Sequence, residues 1–149
     1  MLLRRQTAIK LFRPDAVFEE TIELFEREGQ MTSKLTSPNT IVVYGYGRTP
    51  DGIFYYAMEY LDGIDPMRLV QRGGSMPEER VVHILDQICA SLAEAHDTGL
   101  IHRDIKPSNI MLCERGGVYY FAKVFDFGIV KTLGEENGDA AHNLTGTPH

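Results

Sequence analysis

The sequence predicts an α+β fold. Runs of β-prone residues lie at 7–12, 41–46 and 53–60, and shorter ones follow residue 110. Between them, residues 16–35 and 77–98 carry apolar side chains at helical spacing. The order is strand, helix, strands, long helix, strands, not the strict alternation of strand and helix that a parallel sheet requires.

Each element follows from local chemistry. Thr7 to Phe12 alternates and ends at Pro14, which cannot continue a ladder. Asp15 suits the cap of a following helix in which Phe18, Ile22 and Phe25, and the later Met31 and Leu35, recur at helical spacing. Gly29 weakens that helix by roughly 1 kcal/mol relative to alanine, and Ser37-Pro38-Asn39 ends it. Ile41–Tyr46 and Ile53–Tyr60 form strands joined by the turn-rich 47–52. A short helix is expected over 66–71. In the long helix, Ser75 and Glu78 fit a capping box, Pro77 the first turn and Gly99 the stop. Its apolar face is Val81, Ile84, Leu85, Ile88, Cys89, Leu92 and Ala95. Short strands at 110–113 and 118–125 flank a turn at Gly116-Gly117.

The 149 residues, 43% hydrophobic and 24% charged, suit one globular domain. A net charge of −6 argues against a nucleic-acid-binding surface. Cys89 and Cys113 sit in apolar runs and make no disulfide framework, so the expected compartment is the reducing cytoplasm. No apolar stretch follows Arg4-Arg5, and charges interrupt 77–98, so neither a signal peptide nor a membrane span is expected. The Gly/Glu/Asn/Asp stretch 134–143 reads as loop.

Two strings carry the chemistry: His102-Arg103-Asp104-Ile105-Lys106-Pro107-Ser108-Asn109 and Asp126-Phe127-Gly128. A bare His-Arg-Asp triplet is ordinarily a turn. Its continuation through Lys106 and Asn109 to Asp126, across an apolar run, is far more specific. Upstream stand Thr7-Ala8-Ile9-Lys10 on the first strand and Met58-Glu59-Tyr60-Leu61 at the end of the third. With these residues the chain resembles the eukaryotic-type protein kinases, in their bacterial serine/threonine form.

The resemblance implies a partial two-lobe kinase fold, with residues 1–61 as small-lobe part and hinge and 62–149 as large-lobe part up to the activation segment. It implies transfer of the γ-phosphate of ATP, with Mg²⁺, to Ser/Thr hydroxyls of a protein substrate. Asp104 takes the role of base and Lys106 steadies the γ-phosphate; that lysine is also the mark of Ser/Thr-specific members. Asn109 and Asp126 become Mg²⁺ ligands. Lys10 holds the α/β-phosphates and pairs with a helix glutamate, best matched by Glu28, with Glu23 and Glu26 as competitors. Met58 becomes the gatekeeper, and the backbones of Glu59 and Leu61 meet adenine. Phe127 separates active from inactive packing, and His102 packs beside it. Arg103 pairs with a phosphorylated loop residue, Thr145 being preferred to Thr132 and to Thr147, which resembles a contact of the catalytic loop.

The chain departs from the family pattern in having no Gly-x-Gly-x-x-Gly ahead of Lys10 and no Ala-Pro-Glu-like segment after Asp126. The resemblance therefore implies a domain truncated at both ends, whose long helix lacks packing partners and which is inactive by itself. The alternative reading is a pseudokinase-like module that binds partners without transferring phosphate.

Overall fold

The computed structural model describes residues 6–12 and 19–127. Asp15, Phe18, Gly128, the 134–143 segment, Thr132, Thr145 and Thr147 lie outside the described residues. Among the described residues, two antiparallel sheets and three α-helices make up the α+β arrangement that the sequence predicts.

The first sheet has the order β1-β3-β2, from β1 (Thr7–Phe12), β2 (Val43–Arg48) and β3 (Phe54–Glu59). β1 and β2 both run antiparallel to β3, with Lys10 opposite Tyr56. Phe12, Phe54 and Tyr56 form a small core on one face, with Val43 and Met58 against them. β2 begins at Val43 rather than at residue 41 because Ile41 is drawn away: its N–H donates to Val124 O at 2.9 Å.

Helix α1 spans Glu19–Thr32, shorter at its end than the expected limit of 35. Lys34 and Leu35 turn back on Met31 and Thr32 through backbone bonds of 3.1 Å. Met31 and Leu35 nevertheless reach the larger core, so their apolar character marks burial beyond the helix end. Gly29 is a packing requirement more than a weak point. A Cβ there would sit 2.8 Å from Tyr56 Cε1.

The second sheet, order β4-β5-β6, comprises β4 (Gly63–Ile64), β5 (Ile110–Arg115) and β6 (Val118–Val124). Gly116 and Gly117 close its hairpin with φ of 59° and 81°, the left-handed pair that a two-residue turn between twisted strands demands. Helix α2 (Pro66–Gly73) is capped by Asp65, whose Oδ1 accepts the Arg68 N–H at 2.9 Å. Helix α3 (Glu78–Asp97) packs on β6. Ile84, Ile88 and Ala95 join Leu100, Ile110, Leu112, Ala122, Val124 and Phe127 in the main core.

Two expectations for α3 fail. The Ser75–Glu78 capping box does not form. Pro77, at φ −56° and ψ 144°, takes the cap position itself, and its carbonyl accepts the N–H groups of Arg80 and Val81. Leu85 and Cys89, assigned to the apolar face, are exposed. Gly99 does end the helix, at φ 81°.

Polar side chains on α3 stitch it to the loop after α1. Glu94 accepts the Thr36 N–H at 2.8 Å, the Thr36 hydroxyl at 2.6 Å and the Ser37 N–H at 2.7 Å. The Thr40 and Ser91 hydroxyls meet at 2.7 Å. Gln87 bonds Asn39 and both flanking peptides of Tyr120–Ala122. Desolvation tends to raise the Glu94 carboxyl, but the bonds from Thr36 and Ser37 outweigh it and hold it below its ordinary range. A lowered carboxyl stabilises above its unfolded pKa, and that stability is lost as pH falls through the folded value. Glu94→Ala is expected to cost about 1 kcal/mol in urea unfolding at neutral pH, the low end for bonds to a charged acceptor because solvent screens these partly exposed ones. The gap to wild type should shrink on acidification below the ordinary carboxyl range.

Candidate active site

The β5–β6 ladder brings the two motifs together. Ile110 pairs with Val124, so the residues just outside the ladder, Asn109 and Phe125, become neighbours. The Phe125 N–H donates to Asn109 O at 3.1 Å. A single 3₁₀ turn, Pro107–Asn109, delivers Asn109 into the core edge, where it is 2% exposed. Its amide nitrogen donates to Asp104 O at 2.8 Å and to Asp104 Oδ2 at 3.1 Å. Lys106 Nζ approaches the same Oδ2 at 2.8 Å. Asp104, Lys106 and Asn109 thus form one cluster.

His102 fastens this cluster to the Asp126 loop. Its Nε2 lies 2.9 Å from Phe125 O, and the Asp104 N–H lies 3.3 Å from its Nδ1. A carbonyl only accepts, so Nε2 carries the hydrogen and Nδ1 is bare. Burial pushes the imidazole pKa down, in keeping with a neutral ring, while the nearby carboxylates of Asp126 and Asp104 act the other way. The ring packs on Phe127, centroids 4.7 Å apart, as the sequence leads one to expect. Phe127 itself is fully buried. Arg103 and Asp126 are both left-handed, with φ of 64° and 62°. Such non-glycine backbone costs about 1–3 kcal/mol per residue and persists where the surroundings impose it.

Lys10 and Glu28 lie on the two elements that the sequence assigns them, but they do not pair with each other. Lys10 Nζ contacts Asp126 Oδ1 at 2.6 Å. Glu28 is buried and its carboxylate faces Arg103 Nη1 at 3.7 Å. Burial raises the Glu28 carboxyl, with Arg103 and Arg27 working against the rise. Its competitors Glu23 and Glu26 are both exposed. The expected lysine–glutamate pair is thus exchanged for two others, each joining the first sheet or α1 to the motif loops.

At the end of β3, Met58 packs against the small core. The Glu59 N–H donates to Val42 O at 2.9 Å, and its carboxylate takes the Val42 N–H at 2.9 Å. The same carboxylate meets Lys123 Nζ at 2.6 Å. Lys123 escaped the motif reading; the signal was a lone lysine inside the apolar run Tyr119–Phe125.

A divalent ion here would meet one carboxylate, Asp126, and one amide, Asn109. The Asn109 side chain bonds Asp104 through its nitrogen, so its oxygen would be the atom offered to a metal. Hard oxygens from one or two protein groups, completed by phosphate and water, are what Mg²⁺ takes. Among the described residues no cluster of three His, Cys, Asp or Glu could hold a metal unaided.

This arrangement is that of a protein kinase. Residues 3–149 match the protein kinase domain family, and the chain belongs to it. Its relatives include bacterial serine/threonine-protein kinases. It is 39% identical to pkn3 of Myxococcus xanthus over 98% of the chain and 28% of that protein. It is 35% identical to PrkC of Bacillus subtilis over the whole chain and 22% of that protein. The chain therefore spans about a quarter of the length of these relatives. Among solved structures it resembles the kinase domain of Mycobacterium tuberculosis PknI, with a TM-score of 0.71, 32% identity, 83% of this chain and 49% of that one. It also resembles Rad53 in complex with AMP-PNP, with a TM-score of 0.71, 27% identity, 83% of this chain and 31% of that one. No helix among the described residues is long and apolar enough to cross a membrane.

Asn109 is the structural hub of the loop. Asn109→Ala removes both side-chain donors to Asp104 and is expected to cost about 1–3 kcal/mol in chemical denaturation. An unchanged midpoint and slope would contradict the cluster.

Proposed function

We propose that the protein transfers the γ-phosphate of ATP to Ser or Thr hydroxyls of protein substrates. The observation that carries this reading is the convergence of Asp104, Lys106 and Asn109 in one hydrogen-bonded cluster, tied through His102 to the strand end that bears Asp126. The serine/threonine kinases among its relatives and the AMP-PNP complex of Rad53 support it.

In this mechanism Asp104 orients the substrate hydroxyl and receives its proton. The new bond joins that oxygen to the γ-phosphorus while the bond to the β-phosphate oxygen breaks, and ADP leaves with the electron pair. Lys106, beside Asp104, lies against the charge that gathers on the γ-phosphoryl oxygens. Lys10 leaves Asp126 for the α/β-phosphates, and Glu28 exchanges Arg103 for Lys10. Arg103 is then free for a phosphorylated residue of the activation segment, Thr145 in our assignment. Asn109 and Asp126 would hold Mg²⁺, which supplies charge neutralisation at the phosphates. Met58 lines the back of the adenine site, with the backbones of Glu59 and Leu61 along its edge. We place the division between the two lobes at 61/62.

Asp104→Asn is the test in the protein that carries this chain. Transfer to a generic basic substrate is expected to fall about 10²–10⁴-fold, the range for loss of a positioned acid–base group, with ATP affinity nearly unchanged. A wild-type rate in the variant would remove Asp104 as base. The rival, a binding module without transfer, predicts no transferred phosphate from either form and partner capture without Mg²⁺-ATP. The intact set of Lys10, Asp104, Asn109 and Asp126 favours catalysis.

A further inference from the structure

Lys123 is the most deeply buried cation among the described residues and takes no part in the proposed chemistry. It is 2% exposed. Its ammonium donates to Thr40 O at 3.0 Å and meets Glu59 Oε1 at 2.6 Å. An ammonium taken from water is tolerated only with such partners, and removing one leaves the other group uncompensated. A methionine of similar volume would fill the same space at no desolvation cost, so packing by itself does not explain a lysine here.

The residues that Lys123 joins are placed unusually. It sits on β6, three positions before Asp126. Glu59 is the last residue of β3, directly after Met58. Thr40 belongs to the loop that α3 anchors through Ser91, and it bridges in parallel to Val124, next to Lys123. Glu59 is held on further sides by Val42, through its own N–H and its carboxylate. One ammonium therefore connects the end of the first sheet, the anchored loop and the strand that leads to Asp126.

We propose that Lys123 is a positioning residue for the nucleotide. Through Glu59 it fixes the backbone of 59–61 where adenine binds, and it sets that edge at a constant distance from the strand end carrying Asp126. This rests on the reading of Met58–Leu61 as the adenine-binding hinge. The consequence is selectivity for the base. A fixed edge accepts one pattern of donors and acceptors, whereas a loosened one accepts several. Lys123 touches no nucleotide atom in this account.

The test measures the affinities of the purified protein for ADP and GDP carrying a ribose-linked fluorophore, in wild type and Lys123→Met. ADP binding is expected to weaken about ten-fold in the variant, the scale of a contact acting at one remove, with GDP binding nearly unchanged. The ADP:GDP preference therefore drops. A purely structural tie would lower the melting temperature while leaving the preference as in wild type, and that result overturns the proposal. Glu59→Gln, which keeps an acceptor for Val42 but removes the charge facing Lys123, should share the loss of preference and serves if Lys123→Met does not fold. If wild type binds neither nucleotide, the reading of this chain as a nucleotide-binding site fails instead. Amide exchange then decides the positioning claim: Lys123→Met must speed exchange at 59–61 and 125–127 together, and unchanged protection at either segment refutes it.

Discussion

The imidazole of His102 is the joint on which the site depends. Through Nε2–H it holds the peptide carbonyl before Asp126, and through Nδ1 it takes the N–H of Asp104. One neutral ring, 2% exposed and tilted against Phe127, thereby fixes the backbone of both chemical loops. A charged ring could not accept from Asp104, and a ring of the other tautomer could not donate to Phe125. The left-handed conformations of Arg103 and Asp126 stand on either side of these two bonds, which is where imposed backbone strain is most easily sustained.

Around that joint the structure is built by cross-links more than by a single large core. The main cluster gathers α3 and the β5–β6 hairpin, while the first sheet keeps a small cluster of its own. Polar side chains add ties outside both clusters, between the first sheet, the loop after α1, α3 and β6. Lys123 reaches Thr40 and Glu59, Asn39 reaches Ala122 O and Gln87, and Glu94 gathers the backbone at 36–37. None of the buried side-chain nitrogens and oxygens among the described residues lacks a partner. Networks that are fully satisfied in this way define a single geometry, and half-satisfied ones would not.

The fold order and the family's motif strings are legible in the sequence because both are written locally. Strand and helix periodicity gave the element order, and the fixed steps from Asp104 to Asn109 and onward to Asp126 gave the family. Partnerships were less legible, since a side chain can reach several counter-ions from one backbone position. Lys10 stands on its predicted strand and Glu28 on its predicted helix, yet they pair with Asp126 and Arg103. The cap of α3 was misread because a proline in extended backbone can occupy the cap position itself. Leu85 and Cys89 fit the helical spacing but no element covers them among the described residues. Lys123 was passed over because only the fold brings β6 beside the end of β3.

The most direct measurement of this account is the protonation of His102, by nitrogen–proton correlation NMR across a pH series. The account predicts a neutral ring with its hydrogen on Nε2 at neutral pH, and that state persisting below the ordinary histidine pKa of 6.5. Because the folded pKa is depressed, stability should be full above the unfolded value and decline as pH falls toward the folded one. A hydrogen on Nδ1, or titration at the ordinary value, would contradict the joint between the two loops and the site geometry built on it.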